Sequence, residues 1–145
     1  MRSKKKRTLI EVARWLYRMK GLDKYQLETF LNNMLYVLDV IYFSVRALKR
    51  NEKIPEDMRK EIFSLPHPKK DRLRFGEIQR MTRFSTRTVS KHLERLRKIG
   101  LVVKLNGGYY TLSEDIFTKE YDEYKKFKSQ IKEKIKDLIE VKFEK

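Results

Sequence analysis

Residues Ser85 to Gly100 read STRTVSKHLERLRKIG, and LVVKLNGGYYTL follows directly. Val89, Leu93, Leu96 and Ile99 recur at helical spacing, whereas five Arg or Lys side chains fill other positions, so the stretch predicts an amphipathic helix with a core face and a cationic face. Ser85 is placed to cap its start and Gly100 to end it. The next residues predict two strands, Leu101 to Leu105 and Tyr109 to Leu112, around Asn106-Gly107-Gly108, because Asn and Gly support the positive φ angles of a tight hairpin turn. In the first strand Leu101, Val103 and Leu105 are expected to face the core and Lys104 the solvent.

Upstream, Leu73 to Phe75 reads as briefly extended and Gly76 to Met81 as a short helix anchored by Phe75 and Ile78. Pro55 suits the first turn of a helix over 55–64 that points Met58, Ile62 and Phe63 inward. The Pro-His-Pro at 66–68 ends it, and the basic loop Lys69 to Arg72 follows. Asp23 with Gln26 reads as a capping pair, after which Leu27, Leu31, Met34, Leu38, Ile41, Val45 and Leu48 step alternately by four and three in a heptad seam. Further apolar residues off that seam predict burial by more than one neighbour, another subunit included. Residues 8–20 form a separate amphipathic stripe ending at Gly21. Downstream, Ser113 is placed to cap one long helix with a stripe from Phe117 through Tyr121, Tyr124, Phe127, Ile131, Ile135 and Leu138 to Val141. So narrow a stripe predicts a coiled-coil contact.

The chain has 145 residues and a formal charge of +16, unevenly distributed. Residues 1–7 carry five positive charges, residues 66–112 carry twelve basic against three acidic groups, and residues 113–145 balance nine against nine. Concentration around the opening stretch is the footprint of a polyanion partner. There is no cysteine and there are two histidines, which excludes disulfides and thiolate chemistry and disfavours a structural zinc site. No P-loop, dinucleotide glycine motif, nucleophile with a histidine base or metal triad is present, so neither an enzyme nor a cofactor is expected. The basic amino terminus is followed by a segment broken by Glu11, Arg14 and Arg18, and the longest apolar run, Met34 to Val45, contains Asp39. A soluble cytoplasmic protein without a membrane span is therefore expected.

The residues F75-G-E-I, T82, S85, T88-V-S-K-H-L-E-R-L, I99-G-L-V-V and Y110-T-L-S resemble the winged helix-turn-helix of ArsR and MarR type prokaryotic transcription regulators. The chain also looks like archaeal dimeric winged-helix proteins that pair through coiled coils. The resemblance implies a mainly α fold with a small β-wing, flanked by long N- and C-terminal dimerisation helices. The divisions are a basic arm at 1–7, a helical dimerisation region at 8–54, the DNA-binding unit at 55–112 and a terminal dimerisation helix at 113–145. Such proteins commonly carry glycine in the turn before the recognition helix; here that place is Arg83, where a left-handed backbone would cost about 1 kcal/mol relative to Gly.

The residues themselves give the corresponding site. Arg87, Lys91 and Lys98 lie nearly opposite the core positions, with Thr88 and Arg95 on one shoulder. Thr86, Arg87, Thr88 and Lys91 are the expected base-edge contacts, with Ser85 at the same helix terminus. Arg74, Arg80, Arg83, Arg95 and Lys98 are placed for phosphates. Lys104, Asn106 and Tyr109 extend the surface onto the hairpin. The expectation is a homodimeric transcription regulator on double-stranded DNA, with a sequence-indifferent architectural protein and a helical protein-interaction adaptor as alternatives. A small-molecule effector pocket near Trp15, Tyr36, Tyr42 and Phe43 competes with simple aromatic packing. His92 is expected to make a hydrogen bond on the helix flank and His67 to lie in a loop.

Overall fold

The computed structural model describes residues 21–50 and 72–143, with side chains for 21–45 and 72–141. The expected arm at 1–7, the helices at 8–20 and 55–64, the loop from Lys69 to Asp71, Trp15 and His67 lie outside these residues, and Leu48 lies outside those with side chains. The described elements are α1 (Lys24–Arg50), β1 (Leu73–Arg74), α2 (Phe75–Thr82), α3 (Thr86–Lys98), β2 (Val102–Leu105), β3 (Tyr109–Leu112), α4 (Glu114–Phe117) and α5 (Tyr121–Phe143). The chain is mainly helical with one small antiparallel sheet.

Helix α1 starts at a reciprocal cap in which Gln26 N–H donates to Asp23 Oδ1 at 2.8 Å and Asp23 N–H donates to Gln26 Oε1 at 2.9 Å. Its seam residues Leu27, Leu31, Met34, Leu38, Ile41 and Val45 are buried, and so are Val37, Val40, Tyr42 and Phe43 off the seam. The reason is that α1 is central: it packs against α2, α3, α5 and the sheet.

Helix α5 runs antiparallel along α1. Lys24 pairs with Glu140 at one end, while nearer the other Tyr124 Oη donates to Asp39 at 2.5 Å and Lys128 Nζ reaches both Asp39 oxygens at 2.8 and 3.0 Å. Tyr42 stacks on Tyr124 with centroids 3.7 Å apart. Asp39 interrupts an apolar run because its carboxylate has these partners. The stripe of α5 thus has a partner in its own chain. Its register also differs: Ile139 is buried and Val141 is 55% exposed.

The helix expected from Ser113 onward is broken into α4 and α5. Thr118 to Glu120 carry no helix breaker; Tyr42 Oη donates instead to the Lys119 carbonyl at 2.7 Å, so a tertiary bond satisfies an acceptor outside either helix. Ser113 stands at the N-cap of α4, but its buried hydroxyl makes no cap bond.

The hairpin becomes three-stranded, in the order β1-β3-β2, with Leu73 opposite Tyr110 and Arg74 opposite Tyr109. At the end of α3, Leu101 N–H donates to the Leu96 carbonyl and Gly100 N–H to that of Arg97, with Gly100 at φ 84°. This is a Schellman closure, which draws Leu101 back towards Leu96 and starts the strand one residue later. Leu101 is buried and Lys104 exposed as expected, but Val102 is buried and Val103 is 41% exposed, which departs from the expected alternation at these two residues. The turn is a three-residue loop between the paired Leu105 and Tyr109. Positive φ falls on Gly107 and Gly108, not on Asn106.

Candidate nucleic-acid interface

Ser85 fixes the start of α3: its hydroxyl accepts from Thr88 N–H at 3.1 Å and donates to Thr88 Oγ1 at 2.9 Å. Val89, His92, Leu93 and Leu96 are buried, and Leu93 and Leu96 each supply about 1.5 to 3 kcal/mol of apolar burial that holds the helix in one rotation. With that rotation fixed, Arg87, Lys91 and Lys98 are exposed, while Thr88 and Arg95 are half-buried on the shoulder.

The connection from α2 is short. Arg83 caps α2 in the left-handed region at φ 61° and ψ 17°, the only non-glycine residue with positive φ among the described residues. The turn is therefore the ordinary left-handed one, made with an arginine where glycine would be unstrained. Gln79 Nε2 donates to Thr86 Oγ1 at 2.8 Å and ties α2 to the first turn of α3. The Thr86 and Thr88 hydroxyl oxygens thus already accept bonds within the protein, while Arg87 and Lys91 are the expected base-edge residues with long exposed side chains. Arg80 is exposed on α2.

Two groups form on opposite edges of the sheet. On one, Arg74 Nε donates to Tyr109 Oη at 2.9 Å, and the guanidinium carbons of Arg74 and Arg72 lie 5.0 and 5.9 Å from the Tyr109 ring centroid. These contacts stiffen two arginines against one aromatic face. On the other edge, a groove of about 640 Å³ runs between α3 and β2, with Leu93, Val102 and Tyr110 among its lining residues. Lys98 and Lys104 both line it, together with Arg97, Glu94 and Ser90, which are not among the site residues expected from the sequence. Helical periodicity places Ser90 and Arg97 on the flank opposite Thr88 and Arg95, but only the location of β2 turns that flank into a groove. Asn106 is exposed at the hairpin tip. Lys98 is not an isolated cation: its Nζ lies 3.2 Å from Glu94.

His92 does not act as a flank hydrogen bonder. Its ring packs 4.5 Å from Phe30 of α1 and 6.2 Å from Phe84, and Nδ1 is buried without a hydrogen-bond partner among the described residues. Burial, aided by the charge of Lys91, lowers its pKa to about 4. The imidazole is neutral near pH 7 and belongs to the core. Tyr36 is used in an edge contact with Phe84, and Tyr42 and Phe43 pack with Tyr124. Of the aromatic residues weighed for an effector pocket, Tyr36, Tyr42 and Phe43 are thus packing residues. Burial and the Asp39 carboxylate raise the Tyr124 pKa well above the usual range, so its hydroxyl remains a donor.

Among the described residues no cluster of His, Cys, Asp and Glu is arranged to hold a metal ion, and no helix is long and apolar enough to cross a membrane. No protein-family model, curated protein or solved structure matches the chain.

Proposed function

We propose that residues 73–112 act as a winged helix-turn-helix that binds double-stranded DNA, with α3 in the major groove and the hairpin against an adjacent groove or backbone. The observation that carries this reading is the fixed rotation of α3: Val89, Leu93 and Leu96 are buried while Arg87, Lys91 and Lys98 project outward from a helix that ends in a hairpin. Arg83 at the inter-helical turn and the Arg72-Tyr109-Arg74 group extend the cationic surface and are suited to phosphate contacts.

A transcription regulator working as a homodimer is the specific form we favour. Because α1 and α5 cover one another's seams, the dimer surface we infer is the exposed end of that helix pair, where Tyr25 and Val141 flank the Lys24–Glu140 contact. A sequence-indifferent architectural role is supported by a separate observation, the excess of Lys and Arg over plausible base readers. Binding of the full chain to selected and random duplexes over a salt series tests both. A large affinity ratio supports the regulator, equal binding supports the architectural role, and no binding refutes the DNA reading. Sedimentation showing only a 17.7 kDa species at micromolar concentration refutes the dimer.

A further inference from the structure

Helix α3 contains one acidic residue, Glu94, among five basic ones. It stands seven positions after Arg87, so the two lie within about 20° of one another around the helix axis, on the outward face. The Glu94 and Lys98 side chains are 61% and 56% exposed, and Glu94 also lines the groove that Arg97 and Lys104 reach from either wall. An exposed pair of this spacing stabilises a helix little, and any solvent-facing position would supply as much.

On a surface that meets phosphates, a carboxylate is repelled unless a donor meets it. In the major groove guanine and thymine offer acceptors, adenine offers an amino group beside the N7 acceptor, and cytosine offers its N4 amino group. A carboxylate is therefore matched by cytosine, crowded by the N7 of adenine and opposed by the other two. We propose that Glu94 is a specificity-determining residue that accepts a hydrogen bond from the amino group of one cytosine and disfavours other bases at that position. This rests on the DNA-binding reading above. Lys98 steadies the carboxylate in the free protein and is released towards a phosphate when the base supplies the donor.

The test is selection from a randomised duplex pool with the full wild-type chain, Glu94→Gln and Lys98→Met, followed by titration of the selected and random duplexes. The wild type is expected to fix cytosine at one position, with other bases costing roughly 5- to 150-fold. Glu94→Gln should lose that preference, or move it to adenine, which Gln pairs with through N6 and N7, and should bind random duplex more tightly. Lys98→Met should weaken all duplexes while keeping the cytosine. Both variants alter exposed side chains, and unchanged helical circular dichroism verifies their folding. Retention of the cytosine by Glu94→Gln, or its equal loss in Lys98→Met, overturns the assignment. A wild type that binds duplexes but fixes no cytosine overturns it alone, whereas a wild type that binds no duplex overturns the DNA reading as well.

Discussion

Replacing Arg83 with glycine should make the protein more stable and a poorer DNA binder. At φ 61° and ψ 17° an L-residue bears a backbone cost of about 1 to 2 kcal/mol that glycine does not. Glycine gives back roughly 0.4 to 1 kcal/mol because its unfolded chain is freer. The net gain should be about 0.5 to 1 kcal/mol, or a rise in Tm of roughly 2 to 4 °C for a chain of this size. In the same variant, loss of a phosphate contact should weaken all duplexes alike and make the dependence of log affinity on log salt shallower by about one unit. Differential scanning calorimetry and a salt series of fluorescence titrations measure the two effects on one preparation. Arg83→Asn, which also tolerates the left-handed region, should reproduce both in part. A lower Tm for Arg83→Gly would refute the strain assigned to this turn, and an unchanged salt slope would refute the phosphate contact.

Acid should destabilise the fold through His92: the unfolded chain takes up the proton near pH 6.5 and the folded chain only at about 4, so this contribution is complete above 6.5 and is lost as the pH falls to 4. The loss amounts to about 3 kcal/mol, and His92→Phe should remove it from urea-unfolding curves taken at pH 7 and pH 4.5; equal pH slopes for the two proteins would count against it. Asp39→Ala strands the buried Tyr124 hydroxyl and frees Lys128, so chemical denaturation should show a loss of about 2 to 4 kcal/mol, with Tyr124→Phe losing less. Gly107→Val places a β-branched residue at φ 83° with its Cβ 3.5 Å from the Tyr109 ring, which should cost about 1 to 3 kcal/mol locally and weaken DNA binding while helical circular dichroism is kept. Unchanged affinity in that variant would exclude the hairpin tip from the interface.

The parts of the fold legible in the sequence are those set by local chemistry. Asp23 with Gln26, the Ser85 cap, the spacing of Val89, Leu93 and Leu96, and the Asn-Gly-Gly turn each act within a few residues, and each is present. What was hidden depends on distant partners. Leu73–Arg74 reads as extended in the sequence, but its place in the sheet depends on Tyr109 and Tyr110 lying opposite it. The interruption between α4 and α5 coincides with a bond from the Tyr42 hydroxyl, 77 positions away from the Lys119 carbonyl that accepts it. The exposure of Val103 goes with the Schellman closure, a feature of geometry, although Gly100 followed by Leu101 signals it. The outward cations of α3 could be assigned by helical angle. The groove joining Arg97 and Lys98 to Lys104 could not, since it needs the location of β2.

The central claim is that α3 reads DNA with the face opposite Val89, Leu93 and Leu96. Arg87→Ala tests it most directly, because Arg87 is exposed in the first turn and has no part in the core. Titrated against the duplex selected by the wild type and against random duplex at the same salt, the variant should lose about 1 to 3 kcal/mol on the selected duplex and much less on the random one, with preference flattened at one base position. Equal affinities of variant and wild type for both duplexes would contradict the assignment of that face.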